Sequence, residues 1–112
     1  MFEFIFDAID SLIDKIGRLV SWVINGILSL KKYVVDYFRG LKLRKGRDVP
    51  FIADSNKIAN LIHQAPQKEV GIFEATYNED TDEIENYRAL EADKMDSNLK
   101  NVLGNEKLVV LQ

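Results

Sequence analysis

The chain has 112 residues, no cysteine, one histidine, and 46% apolar against 29% charged residues. That length supports one small domain, or a small domain with an appendage, and the composition excludes wholesale disorder. The missing cysteine excludes disulfides, thiolate metal sites and thiol nucleophiles. The net charge of −3 is unevenly spread: residues 1–47 hold nine Lys/Arg against five Asp/Glu, whereas residues 48–112 hold six against thirteen. This asymmetry separates a basic part from an acidic one.

The first element is long. Apolar residues fall at Phe2, Ile5, Ile9, Leu12, Ile16, Leu19 and Val23, then at Leu30, Tyr33 and Tyr37, in steps of three and four. A second row runs beside it through Phe6, Ile13, Val20, Ile27, Val34 and Leu41. This spacing makes one broad apolar stripe on a helix and predicts a long amphipathic helix over residues 1–40, helical from Phe2. Asn25-Gly26 interrupts the stripe, because glycine costs a helix about 1 kcal/mol relative to alanine. The expectation is one long helix, bent there, rather than a hairpin. The start, Met1-Phe2-Glu3, lacks the positive charge of a secretory signal.

Residues 19–30, LVSWVINGILSL, are twelve uncharged positions flanked by Lys15, Arg18, Lys31 and Lys32. A spanning helix needs about 20 apolar residues, so this run is short for one. A helix about 60 Å long would overreach a body built from the other residues and leave apolar surface in water. The stripe therefore points to a partner protein or a second copy, through Ile9, Ile13, Ile16, Val20, Trp22, Val23, Ile27, Leu30 and Val34. The alternative is an anionic membrane surface.

Residues 41–49 read as a basic linker, and the bases Arg39, Lys42, Arg44, Lys45 and Arg47 surround it. Such a cluster after an apolar helix fits lipid head groups or phosphate. Nucleic acid is disfavoured, because the aromatics Phe73, Tyr77 and Tyr87 that would stack on bases lie in the acidic part.

Residues 50–112 read as a small acidic α+β domain of order α-β-β-α-β, with its own caps, turns and strand faces. Asp54 or Ser55 caps a helix with Ile58, Leu61 and Ile62 on one face, ended by Pro66. EVGIFEATY and IENYRALE form a hairpin across NEDTDE, placing Glu74 opposite Arg88. Asp96 or Ser97 caps a helix through Leu99, Val102 and Leu103, closed by Gly104. KLVVLQ supplies a last strand. A right-handed return gives a three-stranded sheet of order 2-1-3, with helices on one face. Phe73, Tyr77 and Tyr87 are then expected on the other face, beneath the long helix.

Catalytic patterns are missing. The segment NEDTDEIEN alternates Asn78, Asp80 and Asp82 like a calcium loop, yet Glu83 replaces its glycine and Ala89 its terminal glutamate. There is no phosphate-binding glycine loop and no zinc spacing. His63 has no recognisable partner, and the three carboxylates of EADKMD have no pocket that the sequence reveals. The sequence alone therefore points to a non-enzymatic assembly or adaptor protein acting through its N-terminal helix, with peripheral membrane attachment as the alternative. It implies no cofactor and no metal, and a cytoplasmic setting, membrane-associated in the alternative.

Overall fold

The computed structural model describes residues 9–63 and 66–111, with the side chains of 9–12, 24 and 25 outside that description. The helix expected over residues 2–8 lies outside it as well. Helix α1 (Ile9–Leu19) closes with the Val20 amide donating to the Ile16 carbonyl at 2.9 Å. The chain then turns into strand β1 (Trp22–Leu28). A wide π-helical turn, Lys31–Val35, runs directly into a short α2 (Asp36–Arg39). Strand β2 (Asp48–Asp54), α3 (Ser55–Ile62), β3 (Val70–Asn78), β4 (Glu83–Met95), α4 (Ser97–Leu103) and β5 (Leu108–Val110) complete the order.

No continuous helix spans residues 9–40, which corrects the long-helix expectation. The stripe is real, but four of the nine residues 20–28 are the β-branched Val20, Val23, Ile24 and Ile27, and Trp22 joins them. Such residues favour a pleated surface when a neighbour is available. The neighbour is β4: β3 pairs with one of its edges, and β1 lies parallel along the other, from Trp22 opposite Ala89 to Leu28 opposite Met95. Asn25-Gly26 is therefore neither kink nor turn but lies inside this strand. The helix breaks earlier, at Val20-Ser21.

The five-stranded sheet of the described residues has the order β1-β4-β3-β2-β5. Only the β1–β4 contact is parallel. The hairpin β3–β4 has the expected register, with Glu74 opposite Arg88 and Ile72 opposite Leu90. The expected sheet order 2-1-3 is corrected, because DVPFIAD forms a further strand of the sheet. Strand β2 sits between β3 and β5, so the last strand meets β2 rather than β3. Proline is rare inside an internal strand, because it cannot donate to the ladder. Pro50 is accommodated because its carbonyl, not its missing N–H, serves the ladder, accepting from the Leu111 amide at 2.8 Å.

Helices cover both faces of this sheet, which corrects the one-sided arrangement. On one face α1 and α3 bring Ile13, Ile16, Ile58 and Ile62 onto Phe51, Phe73 and Tyr77. Gly17 lets these helices approach: a Cβ there would lie 3.3 Å from the Ile62 Cβ. On the other face Val34, Leu99 and Leu103 cover Leu28, Ile52, Ile72 and Leu90. Phe73 and Tyr77 do lie beneath the N-terminal helix, but fully buried, while Tyr87 stays outside and stacks on Phe73 at 6.2 Å. Leu61, expected with Ile58 and Ile62, is exposed.

Asp54 caps α3, its carboxylate accepting from the Asn56 amide at 3.1 Å. Asp96 caps α4 through the Leu99 amide at 2.8 Å, and the same carboxylate reaches the Leu30 amide at 3.3 Å. One acid thus holds the start of α4 and the approach to the π-turn together.

Candidate functional site

The residues predicted to meet a partner do not share a surface. Ile13 and Ile16 are buried in the first core cluster and Val34 in the second. Val20 and Trp22 pack against the first cluster and Leu30 against the second. Val23 and Ile27 are exposed, at 55% and 57%. Ile9 lies in α1, with its side chain outside the described residues. Most of the stripe is therefore spent inside the chain's own core.

The basic cluster is brought to one place. Residues 40–47 cross from α2 to β2, and Arg47 pairs with Asp48 at 2.8 Å. That guanidinium, with the Arg44 amide, holds the Asp48 carboxyl below the usual carboxylate range. Arg39, Lys42, Arg44 and Lys45 are exposed and form no ion pair among the described residues. Lys42 has a left-handed backbone, φ 53°.

Behind these bases is an apolar cavity of about 490 Å³ between the π-turn, α2, β2 and α4. Val34, Val35, Phe38, Leu43 and Val102 line it, and Arg39 is its one charged lining residue among those described. A second cavity of about 270 Å³ shares Leu43, Pro50 and Leu111 with it and adds Arg44, Lys45 and the Arg47-paired Asp48. The two form one slot, apolar within and basic at the rim.

The wall of this slot is fixed from the sheet. Arg88 on β4 pairs with Glu74 on β3, donates to the Tyr33 carbonyl at 2.9 Å, and lies 3.8 Å over the Tyr37 ring. The Tyr37 hydroxyl donates to the Asn86 carbonyl at 2.7 Å. Burial, only partly offset by Arg88, pushes the Glu74 carboxyl up to about 7. Its Oε2 has no hydrogen-bond partner among the described residues. Register alone exposed the Glu74–Arg88 pair in the sequence. The spacing of Tyr33 and Tyr37 was the available signal for the rest, and it was absorbed into the apolar stripe.

The remaining candidates have structural work. Glu91 accepts from the Gln67 and Lys68 amides at 3.0 and 2.9 Å, Asp93 meets Lys68 at 3.8 Å, and Asp96 is the double cap. Asn78 closes the β3–β4 turn by accepting from the Asp80 and Thr81 amides at 2.9 and 3.3 Å. Among the described residues no group of three or more His, Cys, Asp or Glu is placed to hold a metal ion. His63 ends α3 in the left-handed region, φ 58°. No helix among the described residues is long and apolar enough to cross a membrane. Comparison with known proteins adds nothing to this geometry: no family model, no curated protein and no solved structure matches the chain.

Proposed function

We propose that the protein is a non-enzymatic module that docks on anionic membrane surfaces through the segment 39–47. The observation that carries this reading is that Arg39, Arg44 and Lys45 line an apolar slot and, with Lys42 of the same segment, are exposed and without ion-pair partners among the described residues. Each such base contributes about 1 kcal/mol near an anionic leaflet. Four amount to an attraction of practical size that salt weakens over the Debye length. The acidic remainder of the molecule orients this face toward the bilayer.

The test is co-sedimentation with phosphatidylserine-containing and neutral vesicles at low and high salt. Binding that needs the anionic lipid, falls with salt and disappears when Arg39, Lys42, Arg44 and Lys45 become glutamine supports the reading. Arg47 is left unchanged because it holds Asp48. Failure to bind anionic vesicles at low salt overturns it.

A second reading, protein–protein assembly, draws on Val23 and Ile27, the part of the stripe left exposed on β1. In that case oligomer mass falls with Ile27→Asp and is indifferent to the four glutamines.

A further inference from the structure

The slot has a chemistry of its own, beyond attracting a surface. Its interior offers side chains of Leu, Val and Phe and almost no hydrogen-bonding groups, so it is unsuited to a nucleotide or a sugar, which need several convergent polar partners. Its charged lining residues are Arg39 in the larger lobe and Arg44, Lys45 and Asp48 in the smaller, where Asp48 is already paired with Arg47 at 2.8 Å. The unpaired charges are therefore bases, which repel a cationic ligand, and a neutral apolar one makes no use of Arg39. The larger lobe, about 490 Å³, falls within the usual range of small-molecule sites. The two lobes adjoin through Leu43, Pro50 and Leu111. We infer that the slot binds a single-chain amphiphile with one anionic head, of the fatty-acid class, with its chain between Val34, Phe38, Leu43 and Val102 and its carboxylate on Arg39.

The wall facing the chain includes a π-helical turn, a geometry common at functional sites. Here the turn is set from behind by Arg88, through the Tyr33 carbonyl and the Tyr37 ring, and Tyr37 meets Phe38 edge-on at 5.3 Å. The pocket side of the helix is therefore held in place without any contribution from a ligand, which reduces the ordering cost of binding. This inference shares the basic rim with the membrane reading but needs no bilayer, so the two fail separately.

The experiment titrates the full chain, without vesicles, with dodecanoate and with dodecanol below their aggregation concentrations, by calorimetry or displacement of a fluorescent fatty acid. Dodecanoate is expected to bind with one site. Val102→Trp and Leu43→Trp, two independent ways of filling the slot, should each weaken it at least about tenfold, a change of about 1.4 kcal/mol. Thermal unfolding of each variant verifies that it is folded, and Leu43, in the connection ahead of β2, serves if Val102→Trp does not fold. Arg39→Gln should weaken dodecanoate by about tenfold and leave dodecanol unchanged. Equal binding by the parent and both filled variants, or no binding by the parent, overturns the site. An equal loss of dodecanol and dodecanoate in Arg39→Gln overturns the head-group assignment. Amphiphile binding that persists when vesicle docking fails retires the membrane reading and leaves the slot standing.

Discussion

Glu74 and Arg88 face each other across β3 and β4, with the carboxylate fully buried and the guanidinium roofed by Tyr37. The pair ties the central strands of the sheet to the helical turn above them. It does so against the burial cost of the carboxylate, which one partner does not offset.

That imbalance predicts a pH dependence. The folded carboxyl titrates at about 7, above its ordinary value of 4.5. An acid whose folded pKa is raised binds its proton more tightly in the native state. Its favourable contribution is complete below about 4.5 and is lost as pH rises through about 7. Arg88 from β4 and Tyr37 from α2 are the ionisable groups facing it. Glu74→Gln should therefore flatten the stability profile between these limits. Urea midpoints at pH 5 and pH 8 decide it: the parent must lose more stability between them than the variant does.

Asp96 predicts a cost from losing two caps at once. Its carboxylate accepts from Leu99 at the start of α4 and from Leu30 ahead of the π-turn. Asp96→Ala should destabilise by about 1–2 kcal/mol, and Asp96→Asn by less, since an amide oxygen still accepts. Equal midpoints for the alanine variant and the parent would remove the double-cap account.

Gly71 sits where β3 passes α3 and β4 closely. An added Cβ would lie 3.0 Å from the Leu90 carbonyl oxygen and 3.1 Å from Ser55 Oγ, both buried. Gly71→Ala should cost about 1–3 kcal/mol by overpacking. Gly26→Ala, with nothing within 4 Å of the new atom, is the control. Thermal midpoints of the two should separate clearly.

The N-terminal third is predicted to be part of the folding unit. α1 contributes Ile13 and Ile16 to one core cluster, and β1 pairs with seven consecutive residues' length of β4. A chain beginning at residue 41 should lose cooperative unfolding and amide-shift dispersion. A dispersed, cooperatively melting fragment would mean that the sheet from β2 to β4 suffices.

Local chemistry was legible in the sequence wherever a short-range rule governs it. Asp54 and Asp96 among the candidate caps and Gly104 as a stop follow from neighbours a few residues apart, the Glu74–Arg88 register follows from one hairpin loop, and the structure has each of them. The apolar stripe itself was legible too, but not that the chain supplies its own cover for most of the described part of it. What covers it was decided by tertiary structure. The periodicity of residues 20–28 fits a helix, and only the second edge of β4, open along Ala89–Met95, makes a strand there the better solution. The place of β2 was decided in the same way: whether Pro50 is tolerated inside the sheet depends on which backbone group the neighbouring strand uses. The basic residues 39–47 announced themselves, but the apolar slot behind them joins α2, β2, α4 and Leu111, segments up to about seventy residues apart. Sequence order carries no record of that meeting, because it is fixed by the sheet order and by helices on both faces, and those are properties of the assembled fold.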